Sequence, residues 1–349
     1  MHIAMKILVI KLSALGDILA TSPLFRLIKE ANPGCEIHHL VMRQCAAASE
    51  SNPHIDRQIV IDLIPSGNRL KDARILLRLW WRLLTGGYDI AVILHRNALF
   101  QLLCKAAGIG KLVGFTAPRL DLLQHGQAFT MQGNRTLQEA RLLQRAGLID
   151  KMPDRLEFHL AAGKVDREKL AGLPRDYIAI NPGGGNPHAP ADNKIWPADN
   201  YIRLIQALDL PVVLLGSGGK DQEICASIAR ACGTRAVNLV NRLNLHEAAQ
   251  AIRQSRLYIG NDSALLYIAA ALNVPLIGLY GPTPADAFLP LGGPLHHLSG
   301  KTECSPCYSS LEGARSPMYS CVNNICMQGI STEQVLAKTR QLLTLGKQA

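Results

Sequence analysis

Residues 258–283 read YIGNDSALLYIAAALNVPLIGLYGPT, and no other stretch constrains the fold of this chain as tightly. The β-forming run Leu257, Tyr258 and Ile259 ends at Gly260. A polar turn of Asn261, Asp262 and Ser263 follows, and then residues 264–273, apolar apart from Asn273. Pro275 stops that run, and 276–280 is a second β-forming stretch. The pattern predicts strand, turn, helix and buried parallel strand. The N-terminus of such a helix gathers unpaired N–H groups and the positive end of the helix dipole, which suits phosphate. Asp262 or Ser263 capping the helix is the plainer reading of the same residues.

The same alternation runs through the whole chain. Near-continuous apolar runs at 6–12, 36–41, 58–62 and 89–94 predict buried strands, with helices over 18–31 and 73–84 between them. After a polar, charged stretch at 163–176 the pattern restarts. Strands are expected at 177–181, 211–215, 257–259 and 276–280, with helices at 197–207, 221–232, 245–254 and, last, 331–345. Strands alternating with helices imply parallel sheets covered on both faces, an α/β class. Two doubly wound domains joined near 163–176 fit the 349 residues. Ligands in such sheets bind at the carboxyl ends of the strands.

A chain with 48% hydrophobic and 18% charged residues is globular. Its apolar runs fall short of the roughly 18–20 residues that span a membrane, and no signal peptide is read at 3–10, so a cytoplasmic location is expected. Of the net charge of +10, most sits in the first half, where residues 1–174 carry 23 Lys and Arg against 15 Asp and Glu. A basic surface suggests an anionic partner. No zinc-finger spacing and no dense basic run is present, which argues against nucleic acid.

Three turns carry polar residues at expected strand ends. The first, KLSALGD over 11–17, has one glycine, so it fits neither a G-x-G-x-x-G dinucleotide turn nor a P-loop. It does carry Asp17, either a helix cap or a general base. The second is Asn181 with Pro182 and Gly183–Gly184–Gly185, followed by Lys194 shortly before Pro197. Glycines there let backbone approach a ligand, and Lys194 is either a solvated side chain or a phosphate contact. The third is Gly216–Ser217–Gly218–Gly219 after the run PVVLL.

Taken in order, these motifs resemble the ADP-heptose-dependent heptosyltransferases, glycosyltransferase family 9. KILVIKLSALGDILATSPLFRLIKEANP is similar to the family's opening strand and S-x-x-G-D turn, INPGG with NKIWP to its central loop, and LLGSGGKDQEI and YIGNDSALLYIAAALNVPLIGLYGPT to its donor-side turns. The resemblance covers nearly the whole chain. It implies a GT-B fold, two Rossmann-like domains facing across a cleft. Residues 1–170 would form an acceptor domain and 171–330 a nucleotide-sugar domain, with 331–349 a closing helix packed on the first domain. It implies Asp17 as catalytic base and Lys194 as the lysine meeting the diphosphate. Donor binding falls to Asn181, Gly183, Gly184, Lys194, Gly216, Ser217, Asn244, Asp262, Ser263 and Ala264. Ser13, Arg69, Arg96 and Arg119 are candidates for the acceptor, with His95 and Arg135 nearby in the same half. The implied reaction is inverting transfer of heptose from ADP-heptose to an anionic lipopolysaccharide-core acceptor at the inner face of the inner membrane. No metal is needed, in keeping with the absence of Asp-x-Asp from the sequence. The same chemistry on a protein or another glycan, or donor binding without turnover, are the alternatives. The last rests on two departures, because the family reads Asp-[Ser/Thr]-Gly-x-x-His where this chain has Ala264 and Tyr267.

Two features stand apart from these turns. Arg74, Arg78 and Arg82 recur every fourth residue beside Trp80 and Trp81, either a solvated basic face or a contact for an anionic membrane. Of nine cysteines, Cys304, Cys307, Cys321 and Cys326 cluster in C-x2-C and C-x4-C spacing. They read as a structural iron or zinc site, as reduced thiols or as a redox disulfide.

Overall fold

The computed structural model describes residues 5–63, 68–117, 120–184, 192–300 and 302–345. They form two compact units. The first holds the described residues up to Thr130 together with Arg135–Asp154, and the second holds Met131–Asn134 and the described residues from Arg155 onward. The division thus falls before the 163–176 stretch. Leu156 N–H bonds the Leu291 carbonyl, Ala161 N–H bonds His246 Nδ1 and Asp166 N–H bonds Glu247, so this segment is tied to the second unit.

The first unit runs β1 (Lys6–Ile10), α1 (Leu15–Ala31), β2 (Glu36–Met42), β3 (Arg57–Ile61), α2 (Arg69–Leu84), β4 (Ile90–Ile93), α3 (Ala98–Ala106), β5 (Lys111–Phe115), β6 (His125–Gln127) and α4 (Arg135–Arg145). Its strands form a six-stranded sheet in the order β3-β2-β1-β4-β5-β6, every pair parallel. Alternate residues of β1 serve opposite faces. Ile7 and Val9 pack with Phe25 of α1 and Leu143 of α4. Leu8 and Ile10 pack with Leu79 and Leu83 of α2 and Phe100 of α3. Burial on both faces is why the strand reads as one unbroken apolar run.

The second unit runs β7 (Ile178–Asn181), α5 (Ala198–Ala207), β8 (Val212–Leu214), α6 (Gly219–Cys232), β9 (Ala236–Asn238), α7 (Leu245–Gln254), β10 (Leu257–Asn261), α8 (Ala264–Ala271), β11 (Leu276–Tyr280), α9 (Ala285–Phe288), β12 (Leu295–Ser299), α10 (Ile325–Gln328) and α11 (Thr332–Leu345). Its sheet is again all parallel, in the order β12-β11-β10-β7-β8-β9. In both units the chain starts at the centre, winds to one edge, returns beside its first strand and winds to the other. The reversal creates a crevice at the carboxyl ends of the two central strands, where such sheets bind ligands. Those strands are β1 and β4 in the first unit, β7 and β10 in the second.

The closing helix α11 buries Val335 and Leu342 in the second unit's core beside Leu204 and Ile205 of α5. It belongs to that unit and not to the first, where the sequence had placed it, because its apolar stripe fills the gap left open over α5. Among the described residues no helix is long and apolar enough to cross a membrane.

Candidate active site

Asp17 is the third residue of α1, just past the carboxyl end of β1. The helix begins at Leu15, earlier than the sequence suggested, and Asp17 reaches back to accept the Ala14 N–H at 3.1 Å through Oδ2. Its other oxygen, Oδ1, lies 2.5 Å from Nη1 of Arg135, the first residue of α4. Burial alone would raise the carboxyl's pKa. The charges of Arg135 and Lys11, with the Arg135 and Ala14 hydrogen bonds, outweigh it and hold Asp17 below the ordinary carboxylate value. The cap and the ion pair coexist, and 31% of the side chain stays exposed.

Beneath Asp17 lies a buried charged network. Lys11 Nζ donates to Glu139 Oε1 at 2.5 Å, and Thr21 Oγ1 donates to Glu139 Oε2 at 2.6 Å. Both charges are buried and paired, as the cost of desolvation requires. Two histidines flank them. His95 Nε2 accepts the Leu12 N–H at 2.7 Å, which leaves the proton on Nδ1. His39 Nε2 donates to the Lys11 carbonyl and its Nδ1 accepts from Ser49 Oγ. Burial pushes both pKa values down to about 4, so each ring is neutral at pH 7. Ser13 sits in the same turn, partly exposed. Arg96 follows β4 with its guanidinium carbon 5.3 Å from the centroid of the Phe129 ring. The side chain of Arg69 and the whole of Arg119 lie outside the described residues.

In the second unit the structure brings together three turns that the sequence presents separately. Asn261, at the end of β10 and fully buried, donates to the carbonyls of Pro182 and Gly183 at 2.7 and 2.8 Å. Its Oδ1 accepts from the Trp196 N–H and the Tyr201 hydroxyl. Asp221, at the third position of α6, accepts the Gly184 N–H and the Ser217 N–H, each at 3.1 Å. A Cβ at Gly183 or at Gly216 would collide with the Asp221 carboxylate, so both glycines are what lets it reach the two turns. Asn181 donates to the Leu215 carbonyl and accepts from Ser263 Oγ at 2.9 Å.

That last bond matters for α8. Ser263 occupies its N-cap position, yet makes no side-chain cap because its hydroxyl is turned to Asn181. Leu266 N–H bonds the Ser263 carbonyl. Among the described residues the N–H groups of Ala264 and Leu265 have no acceptor. Two free donors at the positive end of a helix form an anion site. Beside it, Lys194 Nζ donates to Asp262 Oδ2 at 2.7 Å and lies 5.0 Å from the centroid of the Tyr308 ring.

The two departures take structural roles. Ala264 is helical and outside the positive-φ residues, so it needs no left-handed backbone. Tyr267 is buried, and its hydroxyl donates to the Phe288 carbonyl at 2.6 Å, beside Tyr280, which donates to the same oxygen. Asn244 caps α7. Its Oδ1 accepts the Glu247 N–H and its amide donates to the Lys164 carbonyl.

The structural iron or zinc site read at the four cysteines finds no support among the described residues. An iron or zinc site needs thiolates converging on one point at about 2.3 Å. Among the described residues no group of three or more His, Cys, Asp or Glu side chains is arranged to hold a metal ion. Cys304, Cys307, Cys321 and Cys326 are free thiols, the first exposed and the last buried. Burial, with neighbouring thiols adding to it, pushes Cys307 and Cys326 up.

Sequence reasoning singled out Asp17, Lys194, Asp262 and Ser263. It missed Asp221, Asn261 and Glu139 as organisers. For Asp221 a signal existed, an acid at the third helical position after a glycine turn.

Residues 76–315 match the family described as glycosyltransferase family 9 (heptosyltransferase). The chain is similar to lipooligosaccharide heptosyltransferase 2 of Haemophilus influenzae, 27% identical over 82% of this chain and 86% of the relative. It is similar also to lipopolysaccharide heptosyltransferase 2 of Escherichia coli, 28% identical over the same shares of both chains. Of solved structures, the E. coli ADP-heptose lps heptosyltransferase II aligns with a TM-score of 0.77 at 25% identity, covering 99% of this chain and 100% of that one. A family 9 glycosyl transferase from Veillonella parvula shares the fold with a TM-score of 0.83 at 22% identity over 99% of each chain. The fold is therefore the GT-B fold of these enzymes, and the chain belongs to glycosyltransferase family 9.

Proposed function

We propose that this glycosyltransferase moves a heptose from ADP-heptose to an anionic lipopolysaccharide inner-core acceptor, with inversion and without a catalytic metal. The observation that carries the donor half is the uncapped N-terminus of α8 beside Lys194. Two N–H donors and an ammonium suit a diphosphate. The relatives' names supply the sugar and the acceptor.

In this reading an acceptor hydroxyl oxygen attacks the anomeric carbon from the face opposite the diphosphate. The new C–O bond forms as the bond to the phosphate oxygen breaks, so the configuration inverts. The hydroxyl proton passes to Asp17, which its partners keep ionised and ready to accept. The electron pair leaves with ADP, whose growing charge meets Lys194 and the Ala264 and Leu265 N–H groups. Lys194 has three N–H bonds and spends one on Asp262, so it can stay positioned while it binds. Acceptor anions would meet Arg96 and, with Ser13, the side chains of Arg69 and Arg119. The enzyme works at the cytoplasmic face of the inner membrane, where a lipid-linked acceptor is available.

Incubation with ADP-heptose and heptose-deficient core acceptors, followed by mass spectrometry and anomeric analysis, tests the proposal. Transfer with inversion is expected, insensitive to chelator. Asp17→Ala should abolish turnover and spare ADP binding. Retention of more than about a tenth of wild-type kcat would remove Asp17 from the role of base.

A further inference from the structure

Four of the eleven large hydrophobic residues exposed among the described residues lie on α2: Leu70 at 74%, Leu77 at 62%, Trp81 at 60% and Leu84 at 40%. At 100° per residue they fall in one stripe along the helix. Leu79 and Leu83 point the other way, into the core. Lys71, Arg74, Arg78 and Arg82 form a second exposed stripe directly beside the apolar one. The helix carries five basic residues against a single acid, Asp72. Such a three-sector helix is what lies in a membrane interface, apolar stripe inward and cations at the headgroups.

The basic stripe continues into a groove of about 800 Å³ at the amino ends of the strands, lined by Lys6, Arg57, Arg78, Trp80, Arg82 and Tyr88 among others. Glu36, close by, is engaged by Lys6 and by His38. Among the described residues no carboxylate pairs with Arg57, Arg78 or Arg82. The groove is therefore cationic with aromatic walls. It lies at the opposite end of β1 from the turn that bears Asp17, so it is distinct from the candidate active site.

We infer that α2 docks this protein on the surface of an anionic phospholipid bilayer, with Leu77 and Trp81 in the interface and a lipid phosphate in the groove between Arg57, Arg78 and Arg82. The charge complementarity selects the partner, since an apolar protein surface would leave these arginines desolvated and unpaired. A helix of 16 residues, about 24 Å long, spans the height of the sheet. Lying flat, it leaves the strands' carboxyl ends open along the bilayer plane. The inference stands on α2 and the groove beside it, and holds whichever glycan is the acceptor.

Sedimentation of the full-length protein with phosphatidylcholine vesicles, with and without about a third phosphatidylglycerol, tests it. Binding is expected to the anionic vesicles only. Arg78→Gln with Arg82→Gln should weaken it about 25-fold, roughly fivefold for each cation removed near the surface. Trp81→Ser should weaken it as well, and brominated lipid should quench tryptophan fluorescence in the unsubstituted protein. ADP binding and transfer to a deacylated, soluble acceptor should stay unchanged in all variants, which separates failure of docking from failure of the transferase reading. Equal binding to neutral vesicles, absence of quenching, or wild-type affinity in the arginine variant would overturn the inference. So would loss of vesicle binding to millimolar inorganic phosphate at constant ionic strength, which would make the groove a site for soluble anions.

Discussion

Arg135→Gln removes the charge that contributes most to keeping Asp17 ionised. In the folded protein Nη1 lies 2.5 Å from Oδ1, and burial, which pushes the carboxyl up, is outweighed chiefly by this neighbour. Without it burial faces only Lys11 and one backbone N–H. An opposite charge in contact is worth about one to three pH units to a carboxylate. Asp17 keeps 31% of its side chain in water, which screens the pair and tempers the rise that follows when the charge is removed. The sign follows from the role. A general base works as the carboxylate, so kcat/KM is flat above the Asp17 pKa and falls tenfold per pH unit below it. In the wild type that acidic limb lies below the ordinary value of 3.8, and in the variant it moves up. Stability changes in the same sense. A depressed pKa stabilises the fold above the unfolded value and loses that contribution as pH falls through the folded value, so Arg135→Gln, which breaks this charge-assisted hydrogen bond, should cost roughly 1.5–3 kcal/mol near neutrality and less in acid. Release of ADP followed from about pH 3 to 9, with the thermal midpoint measured alongside, reads both effects. Arg135→Lys keeps a charge and should restore most of the limb. An Arg135→Gln protein that is folded and active with an unmoved limb would refute the assignment of Asp17 as the titrating base.

Lys194→Met leaves buried Asp262 without its partner, so a stability loss of about 3–5 kcal/mol is expected together with weaker ADP binding by calorimetry. Lys194→Arg should recover stability more than affinity, because a planar fork cannot reproduce a point charge between Asp262 and Tyr308. Asp221→Ala removes a charged acceptor from two backbone N–H groups, at about 1.5–3 kcal/mol each, and should lower the thermal midpoint and ADP affinity together. Tyr267→His should cost about 1–3 kcal/mol through the lost bond to the Phe288 carbonyl, with donor preference unchanged in a nucleotide-sugar panel. A switch of donor in that variant would show that Tyr267 reads the sugar.

The central strands were legible because burial on both faces writes them as apolar runs, as in KILVI of β1 and LIGLY of β11. Strands β5, β6, β9 and β12 went unread. The last three, HGQ, AVN and LHHLS, are short edge strands carrying polar residues and leave no period to detect. The first, KLVGF, is buried like the central strands, but its apolar run is cut by Gly114. The start of α2 was placed four residues late because its cap, Asn68, precedes a basic first turn and not an apolar one. Asp17 and Asp262 were legible as polar residues just past strands, and Lys194 as a lysine shortly before Pro197. Their partners were not, since Glu139 lies 128 residues from Lys11 and 118 from Thr21, and no local pattern encodes a contact of that span.

The donor turns show what the long-range contacts are for. A serine at an N-cap position normally accepts a helix N–H, a bond worth about 1 kcal/mol. Ser263 forgoes it and ties β10's turn to Asn181. Asn261 ties that turn to Pro182 and Gly183, and Asp221 ties Gly184 to Ser217. Each of these bonds joins one turn to another, and none satisfies the first two N–H groups of α8. A chain under selection for stability alone would cap the helix. Fixing three turns while leaving two donors open is, on the proposed reading, an arrangement that would lower the reorganisation cost of meeting charge as it develops on a leaving group. On the proposed reading, Ala264 and Tyr267 can depart from the family pattern with the site kept. The first contributes its backbone N–H, which the extra methyl leaves intact, and the second faces the core under Phe288.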